Sequence, residues 1–423
     1  MSAKYQVLKG MVDLLPGEIE KWQWLEEKAR VFLEAGGYKE IRTPIVEPLE
    51  LFSRSLGEGS DIVHKEMYAF EDRGGRKIAL RPEMTASVAR AVLENHLLKK
   101  SKSLRLYYLG PMFRAERPQA GRRRQFHQIG IELVNESGPA ADGEVISLLW
   151  RFLHYAGLDG ATLKLNHLGC SKDRPALVTS LKNYFSGEKA KLCAECHYRL
   201  EKNVLRIFDC KNEGCQPVIQ KAPWEDFCSH CRKNFDEVKT VLKTEHGITP
   251  QIERRLVRGL DYYTGSVFEV TGPGLGAQDA VAGGGRYDSL YESLGGESVP
   301  ATGFSIGLER LLTALEGSGR DPLKAVQART LYIASLAVNV QIRNFCRELI
   351  LNLREAGFPV ETHLQETSLS EHLKRANRLG LRHVLIAGES EVQKGKLALK
   401  DLEKHTQQEI DRAQLVSTLK ALL

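Results

Sequence analysis

The chain has 423 residues, 42% hydrophobic and 27% charged, a composition typical of a globular protein with two or three domains. Its 60 lysines and arginines exceed its 54 aspartates and glutamates, a mild basic excess that is compatible with a nucleic-acid partner without requiring one. The sequence contains neither an apolar run of membrane-spanning length nor the residue order of a secretory signal. We therefore expect a cytoplasmic protein whose eight cysteines are thiols or metal ligands rather than disulfides.

The first hundred residues alternate between helical and extended patterns. Apolar residues at helical spacing predict a helix over residues 17–35, ended by two glycines. The segment YKEIRTPIVEPLELF follows as an extended stretch. Pro44 in this segment predicts an edge or interface strand, because proline cannot donate to a sheet ladder. RKIALRPEMTASVARAVLENHL then predicts a strand and a helix that begins near Thr85.

Two strands, SLRLYYLGPMFRAE and RQFHQIGIELVN, come next, joined by a loop over residues 117–123. A helix is expected over residues 143–155. Residues 170–250 hold most of the cysteines at mainly helical spacing, so they read as an insertion into a domain spanning residues 1–325. Beyond the insertion, the glycines of GPGLGAQDAVAGGGRYD lack the order of a dinucleotide-binding turn. They predict a close approach of the backbone to a substrate, or simple turns of the chain.

The pattern changes again in the last hundred residues. RTLYIASL and RHVLIAGE are buried-strand runs, and they alternate with helical segments over residues 339–356 and 368–379. Alternation of strands with helices predicts a small, largely parallel sheet. We expect a separate α/β domain over residues 329–423.

The strand pair around residues 104–134 carries an unusual polar face. Side chains two residues apart share one face of a strand, so the second strand aligns an arginine, a ring, an amide, a gap and a carboxylate: Arg124, Phe126, Gln128, Gly130 and Glu132. Arg114 and Glu116 share a face of the first strand. Such a face suits a pocket for a ligand with anionic, flat and cationic parts. The alternative is a solvated hairpin with surface ion pairs.

At this point the sequence resembles a known family. FRAERPQAGRRRQFHQIGIE is similar to motif 2 of class II aminoacyl-tRNA synthetases, in the form typical of histidyl-tRNA synthetases. GYKEIRTPIVE resembles motif 1 and GFSIGLERLL resembles motif 3, while RGLDYYTGSVFE and AGGGRYDSL resemble the two histidine-specific signatures. The resemblance implies an α+β catalytic domain with a mixed, mainly antiparallel sheet, a cysteine-rich helical insertion, and a C-terminal α/β domain that binds the anticodon.

The resemblance also implies an activity and its partners. A histidine–tRNA ligase activates L-histidine with ATP, giving histidyl-adenylate and pyrophosphate, and then transfers the histidyl group to the 3′ end of tRNA-His. Mg²⁺ is expected to bridge phosphate oxygens of ATP. A homodimer is expected because motif 1 forms the subunit interface in class II enzymes.

The residues expected at ATP come from motifs 2 and 3 and from RGLDYY. The resemblance implies Arg114 at the α-phosphate, Arg310 near the γ-phosphate, and Phe126 and Arg310 on either side of the adenine. Glu116 suits the exocyclic amine of the base. Arg258 is implied between the histidine carboxylate and the α-phosphate, which makes Arg114 and Arg258 the expected catalytic residues. Outside its motif, Arg258 equally reads as a surface residue.

Histidine presents an ammonium and an imidazole, so two acceptor carboxylates are expected in its pocket. Glu83, Thr85 and Gln128 resemble the ammonium site of the family. Glu83 also reads as a carboxylate at a helix N-terminus, because a helix begins just after it. Met84 stands where many relatives have glycine. The resemblance therefore does not determine how the backbone fits at this position.

The second carboxylate, Glu132, resembles the imidazole site together with Tyr263. Tyr262 and Tyr287 are implied in the same pocket. For the adjacent pair Tyr262 and Tyr263, packing in an amphipathic core is the alternative. The arginine-rich loop is expected to meet the acceptor end of tRNA, with Gln119 and Arg124 as candidates for sensing its extra 5′ guanosine.

The cysteines of the insertion have the spacing of a metal site. Cys193-x-x-Cys196 and Cys228-x-x-Cys231 are two CxxC pairs, and four thiolates can close a tetrahedral structural zinc site. Cys210 and Cys215 also lie in the insertion, so the ligand set stays open and this pair is able to replace one CxxC. Free thiols are the alternative. Cys170 and Cys346 read as ordinary buried cysteines.

Two other functional classes deserve comparison with a ligase. A non-catalytic paralogue, the regulatory subunit of ATP phosphoribosyltransferase, shares the core fold and binds histidine. It usually lacks the C-terminal domain and has degraded motifs, whereas this chain keeps Arg114, Arg258 and Arg310. A general nucleic-acid-binding protein would explain the basic loop but not the alternating polar face.

Overall fold

The computed structural model describes residues 5–57, 59–116, 122–224, 227–276, 279–336, 339–365 and 367–422. The chain divides into two compact units, Leu25–Arg320 with the first 14 residues and Asp321–Leu423 with Leu15–Trp24. Its α-helices, in chain order, are α1 (Ile19–Ala35), α2 (Leu49–Leu56), α3 (Thr85–Glu94), α4 (Leu97–Lys100), α5 (Pro139–Ala156), α6 (Asp173–Gly187), α7 (Ala194–Lys202), α8 (Gln216–Gln220), α9 (Ser229–Thr244), α10 (Leu290–Ser293), α11 (Leu308–Gly317), α12 (Pro322–Arg329), α13 (Val340–Glu355), α14 (Leu369–Arg378), α15 (Glu389–Lys394) and α16 (Leu415–Leu422).

The strands lie in three sheets. In chain order they are β1 (Lys39–Glu40), β2 (Val46–Pro48), β3 (Ala69–Glu71), β4 (Lys77–Leu80), β5 (Leu104–Phe113), β6 (Gln125–Val134), β7 (Thr162–His167), β8 (Gln251–Ile252), β9 (Ser266–Thr271), β10 (Ala280–Arg286), β11 (Ala301–Gly307), β12 (Leu331–Ser335), β13 (Val360–Thr362), β14 (His383–Ala387), β15 (Lys396–Asp401) and β16 (Thr406–Asp411). Short 3₁₀ and π turns occupy Ile62–Glu66, Lys189–Lys191, Val204–Asp209, Glu213–Cys215 and Arg412–Gln414.

The main sheet of the first unit has the strand order β1-β5-β6-β11-β10-β9-β7-β8. Its two outer pairs, β1 with β5 and β7 with β8, are parallel, and the inner pairs are antiparallel. This confirms the mixed, mainly antiparallel sheet. β5 and β6 pair along their full length, from Leu104 opposite Val134 to Phe113 opposite Gln125. The alternating polar face of β6 therefore lies near the middle of the sheet.

The segment around Pro44 differs from its prediction. It holds two short strands, β1 at the edge of the main sheet and β2 in a separate three-stranded sheet with β4 and β3. Pro44 lies between them, in neither strand. Its carbonyl and that of Thr43 instead accept hydrogen bonds from the guanidinium of Arg81. The missing N–H of proline costs least where no sheet ladder runs.

A buried ion pair joins helix α5 to the main sheet. Arg286 at the end of β10 lies 2.6 Å from Asp142 in the first turns of α5, with side chains only 7% and 1% exposed. Arg286 also contacts Asp288 at 3.0 Å, and its guanidinium donates to the backbone carbonyls of Glu136 and Gly138. The helix start is therefore tied to the strand that precedes the site residue Tyr287.

Asp142→Ala is expected to destabilise the first unit by about 3–5 kcal/mol, because it leaves the Arg286 charge buried without its main partner. Urea unfolding followed by tryptophan fluorescence measures the change. Glu144→Ala is the matched control, since Glu144 lies on the same helix in a half-exposed pair with Arg105. The control is expected to cost less than about 1 kcal/mol. Equal losses in both variants would show that the buried pair has no special weight.

The insertion is largely helical, as expected. It contains α6 to α9 and short 3₁₀ turns, and its apolar side chains pack into one core with those of the first unit. Within it, the ring of Phe208 contacts those of Phe185 and Trp224 edge to face. Below this aromatic group the cysteines divide into two clusters.

The second unit has a five-stranded sheet of order β13-β12-β14-β15-β16 with helices α12 to α16. β13, β12 and β14 are parallel, but β15 and β16 are antiparallel, so the prediction of a largely parallel sheet was only partly right. Four residues join β15 to β16, and so short a connection can form only a hairpin. No helix among the described residues is long and apolar enough to cross a membrane.

Candidate functional site

A cavity of about 690 Å³ opens on the polar face of β6, β10 and β11. Most of the residues predicted for the substrates line it together: Glu83, Thr85, Arg114, Glu116, Phe126, Gln128, Arg258, Tyr262, Tyr263, Tyr287 and Arg310. Arginines from three distant segments of the chain therefore face one cavity. The solvated-hairpin alternative does not describe this face.

Arg114 and Phe126 form one wall of the cavity. The guanidinium lies 5.1 Å from the centre of the Phe126 ring, and its Nε donates to the carbonyl of Pro82 at 2.9 Å. Glu116 pairs with Arg122 at 2.7 Å and lies farther, at 3.8 Å, from Arg114. The terminal nitrogens of Arg114 are thus directed by the backbone rather than neutralised by a close carboxylate. They remain suited to an anionic ligand.

Arg258 is held from the opposite side by an acid that the sequence did not single out. Its Nη1 lies 2.6 Å from Glu269 on β9, while its buried Nε has no hydrogen-bond partner among the described residues. A Cβ at Gly283 would come within about 2.5–2.6 Å of the guanidinium carbon and its terminal nitrogens. Gly283 is therefore glycine because Arg258 lies across β10 at that position.

Glu83 serves as a helix cap as well as a wall of the cavity. Its two carboxylate oxygens accept the backbone N–H groups of Thr85 and Ala86, at 2.7 and 2.8 Å, at the start of α3. Tyr262 reaches the same carboxylate at 3.4 Å. Glu83 therefore caps the helix and also lies at the cavity surface, and its role at the histidine ammonium stays a prediction.

Glu132 lies one layer behind the cavity wall and is 2% exposed. Its carboxylate accepts a hydrogen bond from the Thr85 hydroxyl at 2.7 Å and another from the Tyr287 hydroxyl. Burial raises the pKa of Glu132 to about 8, although these hydroxyls act to lower it. Thr85 and Tyr287, which do line the cavity, thus connect it to a buried proton-binding group.

Glu132→Gln is expected to change how stability depends on pH. The pKa of Glu132 in the folded chain, about 8, is above its ordinary value, so its stabilising contribution is complete at low pH and declines as pH rises toward 8. The wild type should lose up to about 1.4 kcal/mol per pH unit relative to the variant over that interval. Urea unfolding midpoints between pH 5.5 and 8.5 measure this. Parallel profiles for the two proteins would contradict the raised pKa.

The remaining polar groups leave capacity for a ligand. Gln128 donates to Ser305 at 3.3 Å, but its buried carbonyl oxygen has no partner among the described residues. The rings of Tyr262 and Tyr263 are tilted against each other, with their centres 4.8 Å apart. Both residues pack in the core and also line the cavity, so the two interpretations of this pair do not exclude each other. Burial raises the pKa of Tyr263 to about 12, which keeps its hydroxyl a hydrogen-bond donor.

Besides Glu132, two of the predicted site residues that the structure describes do not line the cavity. Met84 is 1% exposed and packs in the core, with its sulfur 3.4 Å from the Thr43 hydroxyl. Arg124 turns its Nε to the backbone carbonyl of Glu116, at 3.3 Å. Gln119 lies outside the described residues.

The predicted zinc ligand set is wrong as a set of four. Cys193 and Cys196 meet Cys210 and Cys215, whereas Cys228 and Cys231 meet Cys170 and Asp173. The two CxxC pairs lie at the starts of different helices of the insertion, one at α7 and the other at α9. Cys170 is therefore not an ordinary buried cysteine, while Cys346 is buried as expected.

Comparisons with known proteins match nearly the whole chain to one family of enzymes. The family described as histidyl-tRNA synthetase matches residues 10–182 and 210–311, and the family described as anticodon binding domain matches residues 330–422. The histidine–tRNA ligase of Desulforamulus reducens is 44% identical over 415 residues, covering 98% of both chains. The apo histidyl-tRNA synthetase of S. aureus superposes with a TM-score of 0.74 at 30% identity, over 98% of this chain and 100% of that one.

A further solved structure shares the fold alone. It is described as an ATP phosphoribosyltransferase regulatory subunit/histidyl-tRNA synthetase from Bacillus halodurans, with a TM-score of 0.63 and 23% identity over 92% of this chain and 100% of that one. Full-length similarity to curated ligases and a match of the catalytic family over more than half of the chain decide the assignment. The chain belongs to the histidyl-tRNA synthetase family.

Proposed function

We propose that this chain joins L-histidine to tRNA-His in two steps, and that the cavity on β6, β10 and β11 is where ATP activates the amino acid. The observation that carries the proposal is the convergence of Arg114, Arg258 and Arg310 on one cavity that also has acidic walls. Three cations suit a triphosphate, and carboxylates suit an ammonium and an imidazole.

In the first step, the histidine carboxylate attacks the α-phosphorus of ATP and pyrophosphate leaves. Arg114 and Arg258 bind the oxygens on which charge develops, and their fixed positions avoid reorganisation during the reaction. Phe126 and Arg310 hold the adenine between them, and Glu116 accepts a hydrogen bond from the exocyclic amine of the base. Mg²⁺ would arrive with ATP.

Carboxylates already line the cavity where Mg²⁺ would arrive. Glu269 and Glu309 belong to its walls, and carboxylate oxygens are the ligands that Mg²⁺ prefers. Bound Mg²⁺ would supply positive charge between phosphate groups. The residues present therefore fit this cofactor.

Histidine is selected by two groups of acceptors and donors. Its ammonium lies against Glu83, Thr85 and the carbonyl oxygen of Gln128, which accepts no hydrogen bond from the residues that the structure describes. One imidazole N–H donates to the Tyr287 hydroxyl, which in turn donates to Glu132, and the Tyr263 hydroxyl donates to the other ring nitrogen. This arrangement rejects side chains that cannot donate and accept at both positions, because they would leave buried polar groups unpaired.

The remaining parts of the chain receive roles from the family. We assign residues 1–325 to catalysis, with residues 170–250 as an insertion that holds structural zinc, and residues 329–423 to the anticodon. Gln119 and Arg124 are assigned to the tRNA acceptor end. The active form is a cytoplasmic homodimer. Met84 is assigned to shaping the floor beneath Thr85 rather than to a contact with histidine, since its side chain is buried.

A regulatory paralogue is the second candidate, because a structure described partly as such a subunit shares the fold. Against it stand the three arginines at the cavity and the matched anticodon-binding family over residues 330–422. A subunit that only senses histidine has no use for cations placed around a triphosphate.

Pyrophosphate exchange tests the proposal. Purified protein with ATP, Mg²⁺ and labelled pyrophosphate should form labelled ATP with histidine alone among the twenty amino acids, and without tRNA. Charging of tRNA-His transcripts then tests the second step. A well-folded protein that binds histidine but exchanges no pyrophosphate would move the chain to the regulatory class.

A further inference from the structure

The first cysteine cluster lies within the insertion. The sulfurs of Cys193, Cys196, Cys210 and Cys215 all lie within 4.8 Å of one another, and those of Cys193 and Cys210 are 3.8 Å apart. Three of the four side chains are buried. Backbone N–H groups point at these sulfurs, from Cys193 to Cys215 at 3.2 Å and from Asn212 to Cys210 at 3.4 Å. Such donors stabilise thiolates and orient metal ligands.

The second cluster joins the two ends of the insertion. Cys170 and Asp173 precede or begin α6, and they meet Cys228 and Cys231 at the start of α9, again with all ligand atoms within 4.8 Å. Asp173 uses Oδ1 to accept the backbone N–H of Cys228 at 3.1 Å. Its Oδ2 lies 3.6 Å from the sulfur of Cys170. The carboxylate is thus oriented with one oxygen toward the three sulfurs.

The spacing in both clusters matches a tetrahedral metal site. Zinc–sulfur bonds of about 2.3 Å at tetrahedral angles place two sulfurs about 3.8 Å apart, and a zinc–oxygen bond of about 2.1 Å places oxygen about 3.6 Å from sulfur. The sulfurs of Cys193 and Cys210 are 3.8 Å apart, which equals the sulfur–sulfur value. The sulfur of Cys170 is 3.6 Å from Oδ2 of Asp173, which equals the sulfur–oxygen value. Thiolate-rich tetrahedral sets favour zinc over harder divalent ions.

We propose that the chain binds two structural zinc ions, one at Cys193, Cys196, Cys210 and Cys215 and one at Cys170, Asp173, Cys228 and Cys231, and that the second ion positions the histidine-binding loop. Its Cys₃Asp set closes the base of the insertion, where the chain leaves the main sheet after β7 and where α9 begins. The positioning part of the proposal rests on the proposed function.

The route from the second cluster to the pocket is short. Arg174, next to the ligand Asp173, donates to the carbonyls of Asp261 and Tyr263 at 3.3 and 3.0 Å. Just before Cys170, Leu168 donates to the Gly265 carbonyl at 2.7 Å and Gly169 accepts from the Gly265 N–H at 3.1 Å. The loop carrying Tyr262 and Tyr263 is therefore clamped on both sides by residues adjoining the second cluster.

Packing at Gly169 makes the second cluster sensitive to small changes. A Cβ at Gly169 would lie 2.8 Å from Cβ of Asp173 and 3.3 Å from the ring of Phe227, which precedes Cys228. Gly169 also has a φ of +75°, a region that favours glycine. The backbone at Gly169 therefore packs closely against Asp173, a proposed ligand, and against Phe227, which adjoins another.

Metal analysis of the wild-type holoenzyme tests the two sites without any variant. Mass spectrometry of protein purified without chelator should find two zinc ions and no iron per chain. Zinc-edge X-ray absorption should then show seven sulfur ligands and one oxygen ligand shared between two ions, with zinc–sulfur distances near about 2.3 Å. One zinc ion or none per chain, or iron in their place, would overturn the proposal.

Paired variants separate the roles of the two ions. Cys210→Ser with Cys215→Ser should lose one zinc and leave the KM for histidine within about threefold of wild type. Cys170→Ser with Cys231→Ser should lose the other zinc and raise the KM for histidine about tenfold or more, with the KM for ATP nearly unchanged. Cys346→Ser, a buried cysteine outside both clusters, should retain two ions and wild-type kinetics.

The outcomes distinguish this proposal from the proposed function. Equal KM changes in both double variants would overturn the positioning role of the second ion. An inactive wild-type protein with two zinc ions would refute the ligase assignment and leave the metal sites standing. An active wild-type enzyme without zinc would support the ligase assignment and refute the metal sites.

Discussion

Arg258→Ala is expected to lower the rate of histidine-dependent pyrophosphate exchange by on the order of a hundred- to a thousandfold, the usual effect of removing one preorganised donor from a developing charge. Arg258 lines the cavity, is anchored by Glu269 at 2.6 Å and has a buried Nε that no described residue contacts by a hydrogen bond. Its charge is needed most when the histidine carboxylate approaches the α-phosphate, so kcat should fall more than the KM for either substrate rises.

Arg254→Ala is the matched control for this experiment. Arg254 lies four residues away in the same segment with an exposed side chain, and its backbone carbonyl accepts a hydrogen bond from Asn166. The control should retain exchange within a factor of about two. If Arg258→Ala keeps activity within about tenfold of wild type, about 1.4 kcal/mol of barrier, its catalytic role is refuted.

Glu132→Ala is expected to raise the KM for histidine about a hundredfold while changing the KM for ATP by less than about threefold. The substitution leaves the hydroxyls of Thr85 and Tyr287 without their buried acceptor, and the cost of such a loss is about 2–3 kcal/mol. Only the amino-acid side of the cavity is affected. Exchange assays with each substrate varied in turn measure both constants, and equal increases would place Glu132 outside the amino-acid pocket.

Tyr287→Phe decides how Glu132 acts. If imidazole reaches Glu132 through the Tyr287 hydroxyl, removing that hydroxyl should reproduce most of the effect of Glu132→Ala, and the double variant should be little worse than either single one. Additive effects would instead indicate separate contacts with histidine. Glu94→Ala removes an exposed carboxylate from the end of α3 and should leave both constants unchanged.

Local periodicity was enough to predict much of the fold. The alternation in RQFHQIGIELVN indicated which side chains share a face, and Phe126 and Gln128 do line the cavity together. The helix beginning at Thr85 was likewise predicted from its capping and spacing. These features depend on neighbours a few residues apart, which the sequence states directly.

Contacts between distant segments could not be read in this way. The glycines of AVAGGGRYD lie in strand β10 rather than in a turn, and Gly283, which lines the cavity, makes room for the guanidinium of Arg258. In the sequence, Glu269 is one polar residue of an ordinary strand. The pairing of β9 with β10 places its carboxylate beside Arg258. A sequence shows that a position is glycine. It does not show which side chain from a distant segment requires a small residue there.

The sequence by itself determined the family, the mainly antiparallel sheet and most residues of the cavity, because motifs and periodic patterns are local records of structure. Only the tertiary structure decided that Glu132 lies behind Tyr287, that Met84 is buried, and that the cysteines form two clusters rather than one. The physical reason is that the depth of a side chain and the choice among chemically equivalent ligands depend on how helices and strands pack across long sequence separations. Spacing along the chain shows which ligands are available, and three-dimensional packing determines which of them meet.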